Sequence, residues 1–214
     1  MSASRSPAAR PSRRAAVAAA LVGLVAAAPL GAQTPATPAT PATPATPAAP
    51  TTPAAPTTPA ARPADVASPD AIVAALYDVI SGPAGQARDW DRLRSLFAPG
   101  GRMVPVVPRQ GGGFRMVALT PDDYVQRSGD MLTRFGFTER EIARRTERFG
   151  NIVHAWSTYE GRFTAPGAPT SAPIRGINSI QLMSDGTRWY VQSITWEAER
   201  PDLPIPATYL RAAP

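Results

Sequence analysis

The chain has 214 residues, with 22 basic and 16 acidic side chains, one histidine and no cysteine. The lack of cysteine excludes disulfides, thiol chemistry and a lipid-modified cysteine behind a leader. Every basic residue is arginine, and four of them (Arg5, Arg10, Arg13 and Arg14) precede Ala15, which leaves 18 basic against 16 acidic groups, about +2, on the rest of the chain. That balance is too even for nucleic-acid binding by charge, and no such partner is expected.

Residues 1–32 read as a secretory signal peptide: a basic start without acids, an apolar run from Ala15 to Pro29, and a small-residue cleavage site at Leu30-Gly31-Ala32. The run is too short and too alanine-rich for a comfortable membrane span, although a retained anchor is the competing reading. Ser12-Arg13-Arg14 hints at twin-arginine export without the bulky apolar pair that would strengthen it. The expectation is an exported protein, periplasmic or extracellular, with no integral membrane segment in its mature form. Residues 33–67 are a Thr/Pro/Ala-rich linker in which Thr-Pro-Ala repeats give way to Ala-Ala-Pro-Thr-Thr-Pro. Proline at every third position fixes φ and removes donors, so neither helix nor sheet is expected. The segment should be a disordered, polyproline-like spacer reaching on the order of 100 Å. Whether it tethers the domain, carries glycans or is a passive tail stays open.

Residues 68–214 have the size of one domain. Ser68-Pro69-Asp70 predicts a helix start, with a capping hydroxyl, a first-turn proline and an acid. Ile72, Val73, Leu76, Tyr77 and Ile80 follow at helical spacing until Gly82-Pro83. Asp89-Trp90-Asp91 opens a shorter helix with Leu93, Leu96 and Phe97 on its apolar side, stopped by Pro99-Gly100-Gly101. Met103 to Val107 and Phe114 to Leu119 predict two strands around Gly111-Gly112-Gly113. Thr120-Pro121-Asp122 repeats the cap signature and starts a third helix through Phe135. Glu139 to Phe149 and Ile152 to Phe163 read as a hairpin around Gly150-Asn151, and Gly176 to Glu199 as another around Asp185-Gly186. Early helices and a late antiparallel sheet give an α+β fold with helices on one sheet face.

Strict alternation on the last strand puts Tyr190, Gln192, Ile194 and Trp196 on one face and Trp189, Val191, Ser193 and Thr195 on the other. Both faces are partly apolar, so the outer one should be covered. The candidates are a second copy, making a homodimer through that face, and the C-terminal tail from Pro201 to Leu210. Arg140, Arg144, Arg145 and Arg148 share a strand with Glu139, Glu141 and Glu147. Charge pairing on a solvated edge accounts for them, with an anion-binding patch as the sharper alternative.

Asp91-Arg92-Leu93 with Leu96-Phe97-Ala98, the segment FGNIVHAWSTYEGRF from Phe149, GINSIQLMSDGTRWYVQSITWE from Gly176, and the closing Pro204-Ile205-Pro206 with Tyr209-Leu210 resemble the nuclear transport factor 2-like superfamily. The resemblance covers residues 68–210 and is narrowest to secreted bacterial SnoaL-like proteins. It implies a cone-shaped roll, with three N-terminal helices packed on a strongly curved, mostly antiparallel sheet around a small, largely apolar ligand site. The superfamily hosts isomerases, cyclases, dehydratases and plain binding modules, so it implies no particular reaction.

By the same resemblance, Tyr77 matches the first-helix tyrosine of ketosteroid-isomerase-like members. Their general-base position falls near Pro105, and no acid lies between Pro99 and Phe114. The late-strand acid position falls near Asn178, whose amide can donate a hydrogen bond. His154 suits the acid–base role of a SnoaL-like cyclase, and equally a half-buried strand histidine bonded for structure; no aspartate partner is evident. Asn178, Ile180, Gln192 and Trp196 would line the cone, with Trp156 and Tyr124 as further lining aromatics. No cofactor is expected. One histidine without cysteine argues against a transition-metal site, and Gly111-Gly112-Gly113 lacks the lysine and helix of a phosphate loop. The leading expectation is an exported protein that binds a small, largely apolar molecule. Its competitors are an enzyme using His154 with Tyr77 or Asn178, and an interaction module with a filled cone.

Overall fold

The computed structural model describes residues 58–167 and 169–211. The expected signal peptide and the linker up to residue 57 lie outside the described residues. The packed unit begins before Ser68: Pro63–Val66 form a 3-10 turn, Val66 is buried, and Asp65 accepts two hydrogen bonds from Arg92 at 2.7 and 2.9 Å. The end of the Pro-rich stretch is therefore part of the folded unit and not of a spacer.

Helix α1 spans Pro69–Ile80 and α2 spans Trp90–Leu96. Each is capped as its sequence dictates. Ser68 Oγ accepts from the Ala71 N–H at 3.1 Å, and the Asp89 carboxylate accepts from Arg92 at 2.9 Å. Strands β1 (Phe97–Pro108) and β2 (Phe114–Met116) flank the three glycines, all at positive φ. Phe97, assigned above to a helix, begins β1, so the chain passes from helix to strand without a loop. Helix α3, Pro121–Phe135, starts on a full capping box between Thr120 and Asp123. It follows two strands, so the three helices are not all N-terminal to the sheet. Strands β3 (Phe137–Phe149), β4 (Ile152–Phe163), β5 (Ile174–Ser184) and β6 (Trp189–Ala198) complete the fold.

The sheet order is β2-β1-β6-β5-β4-β3. Every pairing is antiparallel except β1 with β6, which makes the sheet mixed. The helices cover one face, here called inner. Ile72, Val73 and Leu76 of α1 and Leu93 and Leu96 of α2 pack there against Val153, Ala155, Ile180, Leu182, Val191 and Ile194. Gly136, with φ 58°, ends α3 where an added Cβ would lie 2.6 Å from the Ala84 nitrogen, so only glycine permits this approach.

Two β-bulges decide which side chains face inward. On β3 the register slips between Glu141 and Ala143, leaving Ile142 unpaired. On β6 the partners of Gln181 and Leu182 are Ser193 and Val191, which leaves out Gln192. Each extra residue reverses the alternation beyond it and bends its strand.

The C-terminal tail lies across the outer face. Thr158 Oγ1 donates to the Tyr209 carbonyl at 2.6 Å, Arg145 donates to Thr208 Oγ1 at 2.6 Å, and the Trp156 and Tyr209 rings are 5.9 Å apart. The tail thus supplies part of the cover that the two-sided apolar pattern required. Farther along this face Phe149, Ile152 and Met183, in register with one another, are exposed. No helix among the described residues is long and apolar enough to cross a membrane.

Candidate functional site

Tyr77 faces the sheet because its α1 neighbours Val73 and Leu76 anchor that side of the helix in the core. Its hydroxyl meets Ser157 Oγ at 2.6 Å and receives the Asn178 amide at 3.0 Å. Ser157 Oγ in turn donates to Glu141 Oε1 at 2.5 Å. Ser157 has one proton, and it goes to the carboxylate. The Tyr77 hydroxyl must therefore donate to Ser157 and accept from Asn178, so the chain of bonds runs one way, Asn178 to Tyr77 to Ser157 to Glu141. It ends on an ion pair, with Arg144 2.9 Å from Glu141 and 2.8 Å from Asp70 at the start of α1. Tyr77 is accordingly engaged as a donor and offers no proton to a ligand in this arrangement.

Glu139 sits one inward position along β3 from Glu141. Its backbone is fixed by Ser81, the C-cap of α1, whose Oγ accepts from the Glu139 N–H at 2.9 Å and donates its one proton to the Tyr77 carbonyl at 2.7 Å. Gly161 lies opposite in register, and a Cβ there would come within 3.5 Å of Glu139 Oε2. No cation pairs with the Glu139 carboxyl among the described residues. Burial pushes its pKa up to about 7, with the Asn178 amide offsetting part of the shift. The hydroxyls of Tyr77, Tyr124 and Tyr159 are all held above their ordinary range, first by burial and then by the charge of Glu139. Tyr124 descends from α3 and packs edge-on to Trp196, with ring centroids 6.4 Å apart. The result is a carboxyl brought near neutrality by burial, bonded to the Asn178 amide, whose charge is felt by three phenols.

Of the residues singled out from sequence, Tyr77, Tyr124, Asn178, Ile180 and Trp196 come together on the inner side, with Asn178 opposite Trp196 in register. Three do not join them. His154 and Trp156 alternate with inward Val153, Ala155 and Ser157, so both face outward. His154 Nε2 lies 3.0 Å from Ser179 Oγ, and its ring packs edge-on to Trp156 at 5.7 Å. The lone histidine therefore cannot share a ligand with Tyr77 and Asn178. Gln192 is the bulged residue of β6 and is exposed. The sequence reading missed Glu139, Glu141, Ser157 and Tyr159. Alternation counted back from the Gly150-Asn151 turn would send both glutamates outward, and the bulge at Ile142 turns them in.

No family model matches the chain. No curated protein matches it. Among solved structures, it is similar to a nuclear transport factor 2-like superfamily protein from Salmonella enterica serovar Typhimurium, at 13% identity and TM-score 0.44, over 63% of this chain and 87% of that one. It is also similar to LinA, at 11% identity and TM-score 0.45, over 66% of this chain and 88% of that one. A third is an uncharacterised protein of cystatin-like fold from Caulobacter vibrioides, at 12% identity and TM-score 0.45, over 62% and 88% of the two chains.

Proposed function

We propose that the inner face of the sheet forms a curved, cone-like site for a small, uncharged, largely apolar molecule, and that Glu139 transfers a proton there. The observation that carries this reading is the placement of the Glu139 carboxyl: turned inward by a bulge, fixed through its backbone by Ser81, bonded to Asn178, close enough for its charge to act on Tyr124 and Tyr159, and paired with no cation among the described residues. Efficient general acid–base groups have pKa values near the working pH, and burial brings Glu139 into that range. With no arginine paired to the carboxyl among the described residues, an anionic ligand is disfavoured. Ile180 and Trp196 supply apolar wall, while Tyr124 and Tyr159 are the hydroxyl donors that the Tyr77 chain leaves free. Residues 1–32 direct export, and the remaining exposed apolar row at Phe149, Ile152 and Met183 supports pairing with a second copy through the outer face.

Incubating the full chain with cyclohexanone, an uncharged carbon acid, in heavy water tests this reading. Deuterium uptake above the buffer rate, lost in Glu139→Gln and kept in His154→Ala, is the expected result. Uptake unaffected by Glu139→Gln, or abolished by His154→Ala, overturns the assignment of the base. Saturable binding without exchange would leave a binding module.

A further inference from the structure

A cleft lies on the opposite side of the sheet from Glu139, between the outer face and the C-terminal tail. It encloses about 330 Å³, within the range of small-molecule pockets. Its walls are Val106, Trp156 and Ile177 from the sheet and Leu203, Ile205 and Tyr209 from the tail. The tail is strapped down at both ends of the cleft. The Ile205 N–H donates to Glu199 at 3.0 Å, and the Tyr209 carbonyl accepts from Thr158 at 2.6 Å. Between those points it bridges the space without filling it.

Two features define what this space can hold. The carboxylates in its lining are neutralised, Glu197 by Arg200 at 2.5 Å and Glu199 by Arg175 at 2.8 Å, so the cleft presents no net charge to an occupant. The Trp156 Nε1 proton is buried and meets no acceptor among the described residues. A buried donor left without a partner is costly, and an occupant bringing an acceptor would satisfy it. The other uncharged polar side chains of the lining are Ser179, already bonded to His154, Thr195 and Tyr209.

We propose that this cleft is a second binding site, for an uncharged aromatic or alicyclic molecule with a carbonyl- or ether-type oxygen that accepts from the Trp156 indole. The site shares no catalytic group with the Glu139 cluster, from which the sheet separates it, and does not depend on that reading. His154 belongs to it as a positioning residue: through Ser179 and its edge contact with Trp156 it orients the wall that carries the donor.

The test is a titration of the ¹⁵N-labelled full chain with acetophenone, an uncharged aromatic ketone, following the indole N–H resonances of the four tryptophans. Trp156→Phe identifies the Trp156 signal. The expected result is a saturable downfield movement of that signal, unchanged in Glu139→Gln and roughly tenfold weaker in Ser179→Phe, which fills the cleft from the sheet side. Leu203→Arg places a charge on the tail wall at a position already 41% exposed, and the same loss is expected there even if Ser179→Phe disturbs the sheet. Movement confined to Trp90 and Trp189, neither of which lines the cleft, would place the ketone elsewhere and overturn the proposal. So would a Trp156 signal that fails to move or to saturate, or undiminished affinity in Leu203→Arg.

Discussion

Replacing Glu139 by glutamine tests the inward carboxyl without any knowledge of a ligand. Glutamine keeps the size and the hydrogen-bonding ends of the side chain and removes its charge. In the folded protein burial pushes the carboxyl pKa up to about 7, against 4.5 as its ordinary value. Below the lower value both folded and unfolded chains carry the proton, and the charge costs nothing. Between the two values only the folded chain keeps it, so wild-type stability falls as pH rises. Above the upper value the penalty is complete, and the gap between 4.5 and about 7 is worth up to about 3 kcal/mol. Glu139→Gln should therefore match the wild type at pH near 4 and exceed it by up to about 3 kcal/mol near pH 8, a rise of roughly 6–12 °C in Tm for a domain of this size. Urea unfolding of both proteins across that range measures the difference directly. The carboxylates whose pKa values are lowered, Asp65, Asp123 and Asp185, titrate in both proteins and cancel. A difference between the variants that stays constant from pH 4 to 8 would refute the placement of Glu139 in a desolvated site.

Arg88 is buried, and its guanidinium donates to the carbonyls of Ile80, Gly82, Pro83, Gln86 and Leu132, clamping the end of α1 to α3. Arg88→Ala should lose about 3 kcal/mol or more by leaving several buried acceptors unsatisfied, and Arg88→Lys should recover little, as urea midpoints would report. Ser157→Ala breaks the hydrogen-bond chain at its centre and should cost about 1–3 kcal/mol, while raising the amide exchange of β4 only locally. Deleting Gln192 removes the bulge while Ser193 stays opposite Gln181 and Val191 opposite Leu182, so Trp189 and Val191 should keep their inward places; tryptophan emission should not shift to the red, and a red shift with loss of cooperative unfolding would refute this pairing.

Local chemistry made the elements legible. Ser68-Pro69, Asp89 and Thr120-Pro121 cap helices at the predicted positions because a capping hydroxyl or carboxylate acts within three residues of itself. The two long hairpins follow from turn glycines between alternating strands, and it is the family resemblance that puts Tyr77, Tyr124, Asn178, Ile180 and Trp196 at one site. What alternation could not supply was the side of the sheet. A bulge adds one residue to one strand, and nothing in the local sequence around Ile142 or Gln192 announces it, because the insertion is favoured by packing against neighbouring strands and helices. The bulge at Ile142 carried Glu139 and Glu141 from an apparent solvated edge to the inner site, and the one at Gln192 removed a lining candidate and brought Trp189 and Val191 into the core. His154 and Trp156, sound choices by residue type, lost their place there because their inward neighbours Val153, Ala155 and Ser157 hold the opposite parity. The sequence by itself determined where helices and strands begin, since those signals are short-ranged. Which carboxyl meets which phenol was decided only in the tertiary structure, since it depends on register between strands far apart in the chain.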